Sequence, residues 1–150
     1  MKLVSDQLRL AATDLSNHLA CPHLTNLELS VARGLRTAPD WAAPDLQVIR
    51  ELGLKHEADY LAFLTKAGLD IVNLAEQKNE TKALEETRLA MQRGADVIYQ
   101  GAISGPGQFG RPDILRKVDQ PSKLGNWSYE AYDCKLARDT KAETILQLAV

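Results

Sequence analysis

The chain has 150 residues, of which 45% are hydrophobic and 25% are charged. This length and composition predict one globular domain or part of one. Its 18 lysine and arginine residues nearly balance 20 aspartate and glutamate residues, so the net charge is −2. The balance excludes a protein that attracts nucleic acid through its overall charge, and a nucleic acid would be met by a local patch or through bound cations.

The compartment is predicted from what the sequence lacks. No apolar run approaches the roughly 18 residues of a membrane span, so we expect no contact with a membrane. The first residues, MKLVSDQLRLAATDL, lack the continuous apolar centre of a signal peptide. Its two cysteines, Cys21 and Cys134, are far apart in the sequence. We therefore expect a cytoplasmic protein.

Apolar residues recur at helical spacing in the first part of the chain. Between residues 11 and 34 the spacing predicts two helices, with Thr13 as the first cap. Pro22 divides them, because proline fits the first turn of a helix far better than its interior. A loop is expected over residues 36–45.

A long helix is predicted over residues 45–68. On this helix His56 shares an apolar stripe with core residues that are spaced by threes and fours. A short strand is expected within residues 69–74, and a further helix over 81–94, capped by Thr81.

The apolar period changes to that of strands in the second half of the chain. Runs at 95–103, 109–118 and 127–137 are β-branched and aromatic, and short turn-rich segments connect them, which predicts a three-stranded antiparallel unit. A helix is expected over 138–150. The segment GPGQFG is predicted to be a hairpin turn, because a dinucleotide-binding loop of this pattern would be followed by a helix. The predicted fold class is α/β, with helices packed on a mixed sheet that contains the antiparallel unit.

Charged residues interrupt two of these predicted strands. Asp133 and Lys135 lie on one face of the third strand, because successive side chains alternate between faces. Asp113 follows Pro112 on the strand before, and a proline there indicates a distortion that can aim a side chain. Two close carboxylates resist ionising together unless a cation lies between them, and oxygen ligands suit Mg²⁺ or Mn²⁺. The alternative is that both aspartates are edge charges paired with Lys135 or Arg111.

Histidines and cysteines supply weaker candidates. His56 and Glu57 place an imidazole and a carboxylate on one helical turn, but a lone histidine on an apolar stripe is more often a core residue. The group His18, Cys21 and His23 matches no common spacing of a structural zinc site.

Five segments in order resemble a known superfamily. They are ACPHL, GLKHEADYL, GRPDIL, YEAYDCKLA and KAETILQL. Together they resemble the PD-(D/E)XK nucleases, and within that superfamily the RecB-like nucleases; the CRISPR-associated RecB-like exonucleases are more distantly similar. The likeness runs from about Ala11 to the end of the chain. It implies a restriction-endonuclease-like core and metal-dependent hydrolysis of DNA.

The resemblance also implies roles for individual residues. Asp113 and Asp133 would be metal ligands, and His56 would be the additional metal ligand of the RecB type. Lys135 would position or activate the attacking water, and Gln147 matches the glutamine that follows the D-x-K strand. Metal-assisted hydrolysis suits such a pair of carboxylates, because a cation lowers the pKa of water and screens an anionic substrate from them.

Other features match the resemblance less completely. Glu57 fits the acidic position on the helix less closely than the aspartates fit theirs. Cys21 matches the early cysteine of the iron–sulfur members, whose three later cysteines have no counterpart here. The tyrosine that usually follows the glutamine in RecB-like nucleases has no counterpart either. We therefore expect residues 1–150 to be a nuclease domain that is incomplete at its C-terminus, with a 4Fe-4S cluster only in a longer parent.

Two functions remain open on the sequence. The first is a metal-dependent DNA nuclease, with DNA and a helicase domain or subunit as partners. The second is a catalytically silent nuclease remnant that binds nucleic acid or supports a partner helicase.

Overall fold

The computed structural model describes residues 1–40, 44–134 and 142–149. Within these ranges the chain has mixed α/β structure. Its helices are α1 (Ala12–Ala20), α2 (Pro22–Ala32), α3 (Pro44–Lys66), α4 (Glu80–Arg93) and α5 (Ala142–Ala149). Its strands are β1 (Lys2–Val4), β2 (Gln7–Arg9), β3 (Ile71–Asn73), β4 (Val97–Tyr99), β5 (Ile103–Gly105), β6 (Gln108–Gly110), β7 (Ile114–Val118) and β8 (Ser128–Tyr132).

These residues divide into two compact units. The first contains residues 1–40, 104–110 and 142–149, and the second contains residues 44–103 and 111–134. The expectation of a single domain stays a prediction. No helix within the described ranges has both the length and the apolar composition needed to cross a bilayer.

The first unit combines small hairpins with helices. Strands β1 and β2 pair antiparallel, a hairpin that the sequence analysis did not predict. Strands β5 and β6 form a second two-stranded sheet whose turn contains Gly107 at φ 72°, so the predicted hairpin turn at GPGQFG is confirmed. Helices α1 and α2 are divided at Pro22 as predicted, and α5 packs against α1.

The second unit is built on a four-stranded mixed sheet of order β3-β4-β7-β8. Strands β3 and β4 are parallel, while β4, β7 and β8 form an antiparallel series. The predicted strand near residue 71 and the predicted three-stranded antiparallel unit are therefore both confirmed.

Helices cover both faces of this sheet. Ala90 of α4 packs with Ile98 and Leu115 in one buried cluster. Leu64 of α3 packs with the neighbouring residues Val97 and Ile114 in another. Because adjacent residues of a strand face opposite sides, the two clusters lie on opposite faces of the sheet, and the second unit has a helix–sheet–helix arrangement.

Two predicted helix caps are wrong. The N-cap of α4 is Asn79 rather than Thr81, and its side chain accepts a hydrogen bond from the backbone of Lys82 over 3.0 Å. The N-cap of α1 is Ala11 rather than Thr13. There Asp14 accepts a hydrogen bond from the Ala11 backbone over 2.7 Å, so a carboxylate in the first turn satisfies the helix start.

The predicted apolar stripe of α3 is confirmed only at its end, where Leu64 is buried and Tyr60 packs against the same cluster, and is wrong before that. Leu46, Ile49 and Leu52 are 58%, 57% and 52% exposed, and His56 is exposed. Each step of four residues exceeds one helical turn by about 40°, so Leu52 lies about 120° around the helix from Leu64. Leu46, five full turns before Leu64, is on the same face as Leu64 and is exposed nonetheless, so the start of α3 does not pack as its end does. Leu64 lies on the face that contacts the sheet. Glu57, two turns earlier, lies on the same face and contacts Tyr99 of β4.

Candidate functional site

The register of β7 and β8 brings two aspartates to one end of the sheet. Ile114 pairs with Tyr132, so the positions just beyond this pair, Asp113 and Asp133, face each other across the two strands. Both residues lie outside the strands, because β7 begins after Asp113 and β8 ends before Asp133. The predictions that Asp113 and Asp133 lie within strands are both wrong, but the expected pairing of the two aspartates does occur.

Asp113 is held from two sides. The side-chain amide of Gln100 donates to Oδ1 of Asp113 over 3.1 Å, and the backbone N–H of Cys134 donates to Oδ2 over 2.8 Å. The backbone carbonyl of Asp113 accepts a hydrogen bond from the backbone N–H of Gln100 over 2.9 Å. Each carboxylate oxygen thus has a defined donor and keeps further lone-pair capacity.

The electrostatics of the site oppose full ionisation. Burial raises the pKa of Asp113 from 3.8 to about 6, helped by a side-chain hydrogen bond with Asp133 and by the charges of Glu57 and Asp133. The Cys134 backbone donor acts in the opposite direction. A hydrogen bond between two carboxyl groups requires one shared proton, and a divalent cation can replace such a proton.

Glu57 supplies a third carboxylate. The hydroxyl of Tyr99, at the end of β4, donates to Oε2 of Glu57 over 2.8 Å. Burial and the neighbouring Glu57 raise the pKa of Tyr99 to about 12, with smaller contributions from Asp113 and Cys134. Tyr99 therefore stays a hydrogen-bond donor at neutral pH. The charges of Glu57 and Asp113 both act on its hydroxyl.

The remaining predicted site residues lie elsewhere or outside the described ranges. His56 is exposed on α3 beside Glu57. Lys135 lies outside the described residues, and so does the side chain of Gln147, whose backbone belongs to α5 in the first unit. Cys21 is an exposed thiol between α1 and α2, also in the first unit.

Arg111 bonds to the backbone rather than to the aspartates. Its guanidinium donates to the carbonyl oxygens of Leu74, Gln77 and Gln100 over 2.7 to 3.2 Å. These contacts join the segments that follow β3 and β4. They give Arg111 a role other than the counter-ion of the aspartates, which was one of the two pairings in the edge-charge alternative; the other, with Lys135, lies outside the described residues.

The sequence analysis did not identify Tyr99 and Gln100. Tyr99 is the last residue of β4 and Gln100 is the next residue. Because β4 runs antiparallel to β7, the end of β4 lies beside the start of β7. The available signal was therefore topological: the residue after β4 is the neighbour of the residue before β7.

These side chains suit a hard cation that keeps part of its water shell. Magnesium sites in proteins commonly use one or two carboxylates, with water or substrate phosphate completing the shell. Asp113 and Asp133 fit that pattern, and Glu57 adds negative charge nearby. Among the residues that the structure describes, no group of three or more His, Cys, Asp and Glu side chains has the geometry of a metal cage.

Comparison of the chain with protein-family models, with curated proteins and with solved structures gives no match.

Proposed function

We propose that the chain is a divalent-metal-dependent deoxyribonuclease of the RecB-like PD-(D/E)XK type, built on a restriction-endonuclease-like core. The observation that supports this proposal most directly is the hydrogen-bonded pair Asp113 and Asp133, held at one end of a mixed sheet with Glu57 beside it. Three carboxylates with a raised pKa at one of them are typical of a cation site.

Each residue has a defined task in this proposal. Asp113 and Asp133 hold Mg²⁺ or Mn²⁺ through their oxygens, and Glu57 adds negative charge that favours the cation. The bound cation lowers the pKa of water and neutralises phosphate charge. Lys135, two residues after Asp133, orients the attacking water and contacts the phosphate. The net charge of −2 makes the cation the main attraction between this site and DNA.

The test measures metal binding and DNA cleavage on the same proteins. Mn²⁺ binding is followed by calorimetry, and cleavage is followed on single- and double-stranded DNA with Mg²⁺ or Mn²⁺. Asp133→Asn should lose both binding and cleavage, because it removes a charged ligand. Lys135→Met should keep binding and lose cleavage, since the ligands remain. Asp119→Asn, the same replacement at an exposed position after β7, is the matched control.

The outcomes separate the two functions that the sequence left open. Cleavage that needs Asp133 and a divalent cation supports the nuclease. Metal binding that needs Asp133, with no cleavage of any DNA, supports the catalytically silent remnant. Mn²⁺ binding that is equal in wild type and Asp133→Asn would refute the metal site and both forms of the proposal.

A further inference from the structure

The backbone of Gln100 adopts a conformation that non-glycine residues rarely adopt. Its φ is 52°. Among the described residues, Ser5 and Asp6 are the other non-glycine residues with positive φ, and they form the turn between β1 and β2. A tight hairpin turn explains their conformation. Gln100 follows β4 at a turn that is not part of a hairpin, so the hairpin explanation does not apply to it.

Contacts on both sides of the residue hold Gln100 in this conformation. Its backbone N–H donates to the carbonyl of Asp113 over 2.9 Å. Its carbonyl accepts from Nε and Nη2 of Arg111 over 3.2 and 2.7 Å. The same Nη2 also donates to the carbonyl of Leu74 over 2.7 Å. The guanidinium therefore fixes the peptide that follows Gln100, while Asp113 fixes the one before it.

This conformation determines where the side chain of Gln100 lies. Its amide donates to Oδ1 of Asp113 over 3.1 Å, opposite the Cys134 backbone donor on Oδ2. With one donor on each oxygen, the carboxylate of Asp113 cannot rotate freely. We infer that Gln100 is a positioning residue for Asp113, strained so that its amide orients this metal ligand. The inference rests on the proposed metal site.

A replacement that keeps the backbone and removes the amide contact tests the inference. Gln100→Asn suits the left-handed conformation, because asparagine tolerates it better than most residues, but its amide is one methylene too short to reach Asp113 in the same way. Gln100→Met keeps the length and removes the donor. Asp6→Asn, at the left-handed turn between β1 and β2, is the matched control in the first unit.

The measured quantity is the Kd for Mn²⁺ alone, with the melting temperature as the check on folding. Both Gln100 variants should raise the Kd about 10- to 100-fold, as loss of a partner that orients a ligand typically does. Gln100→Asn should melt within about 3 °C of wild type, which corresponds to about 1 kcal/mol, the contribution of a single hydrogen bond. Asp6→Asn should leave the Kd unchanged.

Two failures are distinguishable. If wild type binds Mn²⁺ and Asp113→Asn does not, an unchanged Kd in both Gln100 variants would overturn the positioning role and leave the metal site standing. If wild type and Asp113→Asn have the same Kd, the metal site itself is refuted. A purely structural role for Gln100 predicts a lower melting temperature in both variants with an unchanged Kd, which would also overturn the inference.

Discussion

Replacement of Asp113 by asparagine should stabilise the metal-free protein above neutral pH. The side-chain oxygen of asparagine can accept the hydrogen bond from the Cys134 backbone N–H. Its NH₂ group can donate to the side-chain oxygen of a rotated Gln100 or to the carboxylate of Asp133. It therefore resembles protonated Asp113, which is the form that the site favours, since burial and the neighbouring carboxylates raise the pKa of Asp113 to about 6.

The size and sign follow from that pKa. A rise from 3.8 to about 6 corresponds to about 3 kcal/mol, and screening at this partly buried carboxyl reduces it to about 1–2 kcal/mol. The native state binds more protons than the unfolded state between these values, so wild-type stability falls as the pH rises through that window. Asp113→Asn does not lose stability in this way, because it has no carboxyl group to ionise at position 113. Its free energy of unfolding should therefore exceed that of wild type by the full difference of about 1–2 kcal/mol at about pH 8, and by nothing at about pH 4.

Urea unfolding at several pH values measures the difference, with Asp119→Asn as the exposed control. Added Mg²⁺ should reverse the order: at about one hundred times its Kd the cation should stabilise wild type by about 2.7 kcal/mol and leave Asp113→Asn unchanged. A variant that is less stable than wild type by the same amount at every pH would refute the reasoning, because the Asp113 carboxylate would then make only favourable contacts.

Three further changes test other contacts. Tyr99→Phe removes the donor to Glu57 and should cost about 1–2 kcal/mol in urea unfolding; no loss would mean that water replaces the hydroxyl. Asp14→Asn breaks the buried ion pair that Asp14 forms with the amino group of Met1 at 2.7 Å and should cost about 3–5 kcal/mol; a loss below about 1 kcal/mol would show that the pair is solvated. Gly101→Ala should cost about 1–3 kcal/mol, because a Cβ there would lie 3.0 to 3.3 Å from three buried side chains; an unchanged melting temperature would show that they move aside.

Periodicity predicted the long helices and the three antiparallel strands because those elements bury one face over many residues. Pro22 gave the division of α1 from α2, and β-branched runs gave β4, β7 and β8. The first hairpin was not predicted because its strands have three residues each and their side chains are mostly exposed. Strands that short carry too few alternations to show a period.

The aspartate pair could be predicted because it depends on two neighbouring strands and their register. The supports of the pair could not. Gln100 reaches Asp113 across 13 positions, and Tyr99 reaches Glu57 across 42, so both contacts depend on how α3 and the strand ends pack. The wrong part of the α3 stripe had a similar origin, since apolar spacing does not show which part of a long helix packs against the sheet.

The two aspartates are better explained as a functional site than as solvated charges at the sheet edge, because their arrangement lowers the stability of the metal-free chain. Solvated edge carboxylates would ionise near their usual pKa and would require nothing unusual of the backbone. Here the pKa of Asp113 is raised to about 6, and its side-chain partner Gln100 has a φ of 52°. Each feature opposes folding of the metal-free chain, and both meet at one carboxylate. A bound cation would stabilise the ionised carboxylate of Asp113 and so remove the cost that raises its pKa. The strained backbone of Gln100 would then orient the carboxylate that binds the cation.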